Sequence, residues 1–204
     1  LDIKLFNKNM TDLLDGKSVQ LPRYNFITGK REWNIEDTLS IQSDQPIIIE
    51  GIHGLNDKLT KDIPQKNKYK IYISALTQLN IDAHNRIPTT EVRFLRRLVR
   101  DYQFRGAKAL KSIRQWPDVR DGEEKYIFPF QEEADVLFNS ALIYEIGVLK
   151  KYAIPLLSEI NRGEEGYTEA RLILRFLQYV DEISSIDQIP NNSILREFIG
   201  NSVF

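Results

Sequence analysis

The sequence has no cysteine, only two histidines and a single methionine among its 204 residues. Without cysteine it can form no disulfide bond, thiolate nucleophile or cysteine metal site, and two histidines are too few for a zinc cluster. No apolar stretch reaches the roughly 20 residues that a membrane-spanning helix needs, and the first residues lack the basic start and apolar run of a signal peptide. These absences predict a soluble, cytoplasmic protein with no structural metal and no membrane partner.

An excess of charge of either sign is also lacking, because 28 basic residues face 29 acidic ones and the formal net charge is −1. This balance gives no global field for a polyanion, which disfavours nucleic acid as a general partner, although local basic clusters can still bind phosphates. What the chain has in quantity is apolar residues, at 42% of the total. We therefore expect one compact unit with one sizeable core.

Hydrophobic periodicity switches between strand and helix patterns along the chain. Alternation over residues 19–26, a turn at 28–31 and a return at Trp33 indicate a strand or extended arm. Three further segments are predicted to be strands, the first of them ending in an acid and a glycine: 46–51, 68–74 and 134–139. Helical periods fill most of the rest, with predicted helices at 3–14, from residue 90, at 141–157 and at 167–183. Alternating strands and helices predict an α/β fold.

The predicted helix that starts near residue 90 carries a stripe of arginines. Arg93, Arg97 and Arg100 recur at the spacing of one helix face, and Arg96 and Arg105 flank them. A basic stripe is often simply a solvated face. Guanidinium groups, however, are always charged and pair with phosphate oxygens through two parallel hydrogen bonds. The stripe is therefore a candidate phosphate-binding surface.

Residues 16–18, Gly-Lys-Ser, end like a phosphate loop but do not fit one. That pattern needs a glycine five places before Gly16, where Thr11 stands, and a helix afterwards, where the strand-like residues 19–22 stand. No other stretch fits Gly-x-x-x-x-Gly-Lys-Ser/Thr, and no Gly-x-Gly-x-x-Gly fingerprint is present. Nothing in these 204 residues is predicted to cradle a triphosphate.

Five short motifs follow one another along the first three quarters of the chain. They are DGKSVQLPRYNF at 15–26, IIIEGI at 47–52, LRRLVRD at 95–101, FRG at 104–106 and ADV at 134–136. Each is weak alone, but in this order they resemble the uridine kinase and phosphoribulokinase family. Three more segments are similar to a bacterial nucleoside kinase subgroup that carries a threonyl-tRNA-synthetase-like N-terminal region: WP at 116–117, YIFP at 126–129 and IPNNSILREF at 189–198.

The resemblance implies a nucleoside kinase-like P-loop NTPase fold, with a parallel sheet flanked by helices and a helical lid. Because the chain opens inside an amphipathic helix and lacks a phosphate loop, we expect it to begin in mid-protein and to be truncated before that loop. It would then hold the C-terminal part of the kinase domain over residues 1–204. The implied parts are a substrate-side β arm at 17–34, a lid region at 92–130 and a C-terminal helical part at 141–204.

The same resemblance implies ATP-dependent phosphoryl transfer, in the full-length protein, to the 5′-hydroxyl of a uridine- or cytidine-like nucleoside. Glu50 is expected to be catalytic and to bind Mg²⁺ directly or through water, since a hard cation prefers carboxylate oxygens. Arg100 and Arg105 are expected to be catalytic, and Arg96, Arg97 and Arg100 to contact ATP from the lid. The 204 residues alone are expected to be inactive, because they would hold half of the active site.

Tyr24 and Phe26 are the residues implied to contact the nucleoside, because a flat base packs well on aromatic rings. Two departures from the uridine kinase pattern leave the acceptor open: Gly29 stands where a base-contacting histidine is usual, and Ala107 where a further arginine is usual. A kinase for another small-molecule hydroxyl and a non-catalytic regulatory module on a kinase scaffold remain alternatives. Truncation before the first strand and the phosphate loop would expose apolar sheet surface, which predicts self-association as a homo-oligomer.

Overall fold

The computed structural model describes residues 1–25 and 28–203, so that Phe26, one of the two predicted nucleoside contacts, lies outside the described residues. The chain divides into two compact units, the first formed by residues 1–72 and 123–136 and the second by 73–122 and 137–204. The composition predicts one core, whereas the buried apolar side chains form two clusters, one within each unit. The two cores differ greatly in size.

The first unit is built on one amphipathic helix, α1 (Ile3–Leu14), as the periodicity predicts. The Asp2 side chain accepts a hydrogen bond of 3.1 Å from a backbone N–H of the first turn, which satisfies one of the free donors at the helix start. On the inner face of α1, Met10 and Leu13 are buried together with Val19 in the small cluster. These three side chains supply the apolar centre of the unit.

A buried asparagine adds a polar anchor to this helix. The side-chain NH₂ of Asn7 donates to the carbonyl oxygens of Ile3 and Leu59, both at 2.8 Å, and its Oδ1 accepts a hydrogen bond of 3.1 Å from the Asp62 N–H. A buried amide is tolerated where its donors and acceptor find partners. Asn7 therefore fixes the segment around residues 59–62 against α1.

An antiparallel hairpin follows, made of β1 (Val19–Asn25) and β2 (Lys30–Leu39). The strand and return predicted from the alternation are thus confirmed. The Gly29 N–H donates to the Asn25 carbonyl at 2.8 Å, and Gly29 has a φ of +67°, in the left-handed region that favours glycine. The glycine at this position is therefore explained by the turn geometry.

A second, parallel pair of strands consists of β3 (Ile71–Ser74) and β4 (Val136–Asn139). The Asp135 N–H donates to the Lys70 carbonyl and the Ser140 N–H to the Ser74 carbonyl, both at 2.9 Å. Residue numbers rise together along the two strands, which is the pattern of a parallel pair. Two of the three predicted sheet strands are therefore confirmed.

The third predicted strand, at residues 46–51, is wrong: the segment is irregular. Ile48 is 89% exposed, and in the described part of the chain no other strand pairs with this segment. A β-branched run favours strand conformation, but a strand also needs a neighbour that takes up its backbone hydrogen bonds. Glu50, which the sequence places at a strand end, accordingly stands in an irregular segment.

The second unit is mainly helical and has the larger core. Its helices are α2 (Thr89–Arg105), α3 (Ala109–Tyr126, whose last turn continues beyond this unit), α4 (Glu145–Ser158), α5 (Tyr167–Leu177) and the short α6 (Arg196–Ile199). α2 contributes Val92, Leu95, Leu98 and Val99, all 0% exposed, and it packs against α4 and α6. Within residues 1–25 and 28–203, no helix is both long and apolar enough to cross a membrane.

The last long helix is shorter than predicted. The periodicity predicts a helix over residues 167–183, but α5 ends at Leu177. Beyond it, the Val180 carbonyl accepts a hydrogen bond of 2.7 Å from Lys150 Nζ. A Cβ on Gly147 of α4 would lie 2.8 Å from a backbone oxygen of the passing chain, so this approach requires glycine. The chain therefore leaves the helix to pack across α4, a tertiary contact that periodicity does not report.

Candidate active site

Three of the four arginines predicted to act from α2 converge on one carboxylate, that of Asp101, which is 3% exposed. Asp101 Oδ1 lies 3.1 Å from Arg100 Nη2 and 3.2 Å from Arg105 Nη1, and Oδ2 lies 3.2 Å from Arg97 Nε. The arginine side chains are more open, with exposures from 22% for Arg97 to 58% for Arg105. We refer to Arg97, Arg100, Arg105 and Asp101 as the arginine cluster.

The arginine cluster is cationic as a whole, because one carboxylate faces three guanidinium groups. Guanidinium groups present donors in a fixed fork that matches carboxylate and phosphate oxygens. Partial burial also weakens the screening of these charges by salt. The arrangement is therefore chemically suited to an anion with several oxygens.

Arg96, the fourth predicted arginine, is 7% exposed and faces the protein interior. Its Nε donates to Glu145 Oε2 at 2.6 Å, and its Nη groups donate to the Ser140 carbonyl at 2.6 Å and the Ser140 hydroxyl at 3.2 Å. The guanidinium carbon also lies 5.3 Å from the centre of the Phe198 ring. These contacts use the group to fasten α2 to the start of α4 and to α6.

The loop after α2 opens onto a surface cavity of about 560 Å³. Gly106 ends the helix with a φ of +60°, and the N–H groups of Gly106 and Ala107 both bond to the Asp101 carbonyl. Ala107 is buried and lines this cavity, whose basic lining residues are Lys108, Lys111 and Arg114. Lys108 and Lys111 therefore give the cavity a basic lining, while Arg114 is paired with Glu165 at 2.9 Å.

Glu50 is exposed and belongs to the first unit, whereas the arginine cluster belongs to the second. Among the described residues, no group of three or more His, Cys, Asp or Glu side chains is arranged to hold a metal ion. Mg²⁺ in phosphoryl-transfer sites is bound by one or two carboxylates together with substrate phosphates and water. The role of Glu50 in binding Mg²⁺ therefore remains a prediction from the family resemblance.

Tyr24 lies on β1 with its side chain 59% exposed, opposite Arg31 of β2. A Cβ on Gly29 would lie 3.8 Å from the Tyr24 hydroxyl, an ordinary contact distance. A histidine at position 29 would therefore adjoin Tyr24, but the positive φ would strain it.

Residues 16–18 link α1 to β1, which is the reverse of the strand–loop–helix order of a phosphate loop. Lys17 Nζ lies 2.8 Å from Asp12 Oδ1 and 3.2 Å from Asp15 Oδ2. Hydrogen bonds to Asp12 first and then to Asp15 raise the pKa of Lys17. The lysine of this motif is thus held by carboxylates of its own helix end.

Sequence reasoning missed the two buried carboxylates that organise the arginines. Asp101 stands four residues after Arg97 and four before Arg105, a spacing at which helix side chains meet, so a local signal for it was present. Glu145, the partner of Arg96, is far away in sequence and is buried on another helix. The spacing of residues along α2 contains no information about a partner on another helix.

Comparison with known proteins agrees with the motif order. Residues 1–146 match the family described as the Phosphoribulokinase / Uridine kinase family. Uridine kinases from Staphylococcus aureus strains JH9 and Newman are each 31% identical to the chain over 137 residues, which is 67% of this chain and 57% of the relative. The chain therefore spans 57% of the length of the curated relatives that it matches.

These observations define an α/β protein that carries a parallel strand pair and an arginine-rich helix. The family match covers residues 1–146 of 204, which is well over half of the chain. The chain belongs to the phosphoribulokinase / uridine kinase family.

Proposed function

We propose that this chain is the C-terminal part of an ATP-dependent nucleoside kinase of the P-loop NTPase type. The proposed reaction is phosphoryl transfer to the 5′-hydroxyl of a uridine- or cytidine-like nucleoside, in the cytoplasm, where ATP is available. Family membership and the likeness to proteins named uridine kinase support it. The observation that carries it is the gathering of three guanidinium groups within the family-matched part of the chain.

No stretch of the 204 residues fits a phosphate loop, so the proposal places that loop in another part of the full-length protein. Residues 92–130 are proposed to be the lid, since α2 and α3 carry the arginine cluster and the basic cavity. The bacterial subgroup with a threonyl-tRNA-synthetase-like N-terminal region is the proposed relative within the family. The 204 residues alone are then expected to be inactive.

Phosphoryl transfer asks a protein mainly for positioning and for cations against the charge of the transferred group. When bound, ATP supplies the phosphoryl group and Mg²⁺ offsets the charge of its phosphates. Arg97, Arg100 and Arg105 would donate hydrogen bonds to phosphate oxygens from their partly exposed guanidinium groups. Glu50 would accept hydrogen bonds from metal-bound water or bind Mg²⁺ directly.

The remaining assigned residues have supporting roles in this proposal. Tyr24, exposed on β1, and Phe26, which lies outside the described residues, would pack on the nucleoside base. Arg96 was assigned to ATP from the sequence, but its buried bonds to Glu145 and Ser140 favour a role in holding the lid helix in place.

A kinase for another small-molecule hydroxyl is the second candidate, and the hairpin turn favours it. Gly29 replaces the usual base-contacting histidine, and its φ of +67° disfavours any side chain there. Recognition of a pyrimidine base must then differ from the usual pattern. Because positioning of the hydroxyl decides which acceptor reacts, this candidate retains the same phosphate chemistry with a different acceptor.

Turnover of ATP by the full-length protein, with a panel of nucleosides and of other hydroxyl acceptors, tests the proposal. Arg100→Ala is expected to lower kcat by about 10²- to 10³-fold, the usual effect of removing one donor to a developing charge. Glu50→Gln is expected to raise the Mg²⁺ concentration needed for half-maximal rate. Arg171→Ala, an exposed arginine on α5 beyond the family match, is the matched control and should leave turnover unchanged.

The outcomes separate the candidates. Transfer to one nucleoside, lost in Arg100→Ala but not in Arg171→Ala, supports the nucleoside kinase. Transfer only to a non-nucleoside hydroxyl supports the second candidate. Wild-type protein that binds ATP and phosphorylates no acceptor would contradict both kinase candidates. A non-catalytic regulatory module on a kinase scaffold would then be the remaining alternative.

We also propose that the chain self-associates. Within the second unit, Ile73 of β3 is 60% exposed, and Leu137 and Phe138 of β4 are 53% and 56% exposed. Contact with a second copy of the chain would cover such apolar side chains. Sedimentation of the 204-residue chain should show dimers or larger species, and a purely monomeric profile would contradict this.

A further inference from the structure

We infer that Asp101 is a positioning residue for phosphoryl transfer: its buried carboxylate sets the orientation of Arg97, Arg100 and Arg105. This inference rests on the proposed kinase function and extends it to a residue that the site assignment did not include. Asp101 itself would not touch the substrate, because its side chain is 5% exposed while those of the three arginines are 22%, 31% and 58% exposed.

The two carboxylate oxygens of Asp101 contact different arginines. Oδ1 accepts hydrogen bonds from Arg100 Nε at 3.2 Å and Nη2 at 3.1 Å, and Arg105 Nη1 lies 3.2 Å from the same atom. Oδ2 faces Arg97 Nε at 3.2 Å, while Arg97 Nη2 donates to Gln115 of α3 at 3.2 Å. Arginines from three successive turns of α2 therefore point at one place.

The backbone of the same residue fixes the end of the helix. The Asp101 carbonyl accepts hydrogen bonds from the Gly106 and Ala107 N–H groups, the latter at 3.0 Å. Arg105 is the last residue of α2, and the basic cavity begins at Gly106. The side chain of Asp101 thus contacts the three arginines while its backbone carbonyl caps the end of α2, and the backbone contact stays in place when the side chain is changed.

The Asp101 carboxylate is more deeply buried than the three guanidinium groups, and this difference indicates what each group needs from the other. A buried carboxylate is costly unless hydrogen-bond donors compensate it, so Asp101 requires its arginines. The arginines could instead be solvated, and three like charges within nine residues of one helix repel each other. Their convergence is therefore imposed by Asp101. Since three positive charges face a single negative one, the cluster keeps an excess positive charge for a phosphate.

Replacing Asp101 with asparagine tests the role, because the amide keeps the shape and removes the charge. In the full-length protein, Asp101→Asn is expected to lower kcat by about 10- to 100-fold, the scale of a small misplacement of catalytic groups. The dissociation constant for ATP, measured without acceptor, should stay equal or decrease, because the cluster gains net positive charge. Binding should also become more salt-dependent.

Asp187→Asn is the matched control, since Asp187 is an exposed carboxylate of the second unit that lies outside the proposed lid and beyond the family match. Both variants are assayed at a temperature at which circular dichroism shows them folded. A merely structural role for Asp101 would lower kcat only in proportion to the folded fraction and would leave the salt dependence of ATP binding unchanged. Unchanged kcat, or weaker ATP binding without greater salt dependence, would overturn the inference.

A double-mutant cycle gives a second readout that a structural role does not move. If Asp101 acts through Arg105, Arg105→Ala should cost much less in the Asp101→Asn background than in wild type, whereas independent effects would multiply. Additive effects on the free energy of activation would contradict the inference. If Asp101→Asn does not fold, Asp101→Glu, which keeps the charge but displaces it, replaces it in the same cycle with the same criterion.

The design separates failure of the inference from failure of the proposed function. Phosphoryl transfer by wild type, with equal rates for Asp101→Asn and Asp187→Asn, would reject the positioning role and keep the kinase. No transfer by wild type, but ATP binding that tightens and becomes more salt-dependent in Asp101→Asn, would reject the kinase and keep Asp101 as organiser of an ATP site. Absence of both transfer and ATP binding by wild type would reject both.

Discussion

The two units of this chain differ in the size of their buried apolar cores. In the first unit three side chains, Met10, Leu13 and Val19, form the buried apolar cluster, with four partly buried residues packed against it. In the second unit the cluster extends over α2, α4, α5 and α6 and includes several leucines that are 0% exposed. Polar contacts of the first unit include the buried amide of Asn7 and the ion pairs of Asp57 with Lys68 and Lys70.

The difference in core size indicates which helices are held firmly enough to fix the directions of their side chains. A helix held by a large core presents side chains in fixed directions, which a catalytic or binding group needs. The arginine cluster stands on such a helix, whereas Glu50 stands in an irregular, exposed segment of the first unit. The second unit should therefore tolerate changes inside it least.

The largest expected effect is loss of the buried ion pair on α2. Arg96→Met leaves the Glu145 carboxylate, 1% exposed, without its charged partner. Breaking a buried pair in this way is expected to cost about 3–5 kcal/mol of unfolding free energy, measured by chemical denaturation of the 204-residue chain.

The control for that prediction is an exposed ion pair in the same unit. Arg114 and Glu165 pair at 2.9 Å with side chains 53% and 71% exposed, so Arg114→Met should cost about 0–1 kcal/mol. Equal costs for Arg96→Met and Arg114→Met would show that Arg96 is not a structural anchor.

A matched pair of leucines compares the two cores directly. Leu98 of α2 is 0% exposed and Leu13 of α1 is 1% exposed, so their burial is the same while their surroundings differ. Leu98→Ala should cost about 4 kcal/mol and Leu13→Ala about 2 kcal/mol, because the cavity left in a small cluster can collapse more completely. An equal or larger cost for Leu13→Ala, in the same denaturation experiment, would overturn the contrast between the units.

The smallest expected effect is a dependence on pH in the first unit. Hydrogen bonds from Lys70 first and Lys68 next lower the pKa of Asp57 below its ordinary value of 3.8. A lowered pKa means that this stabilisation is present above the ordinary pKa and is lost as the pH falls through the lower, folded-state value. Because Asp57 is 49% exposed, the effect should be about 1 kcal/mol or less.

Melting temperatures at neutral pH and at about pH 3 measure this effect. Asp57→Asn should lower stability slightly at neutral pH and reduce the further loss in acid. Asp118→Asn, which changes an exposed carboxylate of the second unit, should do neither. An acid-induced loss that is the same in wild type and Asp57→Asn would exclude this ion pair as its source.

The sequence predicts α1, α2 and α4 well, because local periodicity largely specifies a helix. The helical spacing of Val92, Leu95 and Val99 predicts α2, and the same spacing relates the arginines on that helix. The strand at 46–51 fails for the opposite reason, since a strand depends on a neighbour that local pattern does not contain. The early end of α5 likewise depends on a distant glycine, Gly147.

The candidate site likewise contains residues that local spacing predicts and residues whose partners are distant in sequence. Arg97, Arg100 and Arg105 are gathered as their spacing on one helix allows. Arg96 differs because its partner, Glu145, comes from a different helix. The roles of Glu50, Tyr24 and Phe26 remain predictions that come from the family resemblance.

The most direct test of the account is the product formed by the full-length protein from ATP and a nucleoside. The account predicts a nucleoside 5′-monophosphate, formed at a rate that Arg100→Ala lowers strongly and Arg171→Ala does not. Wild-type protein that binds ATP but forms no phosphorylated product, or forms it equally well with Arg100→Ala, would contradict the assignment of the arginine cluster to phosphoryl transfer.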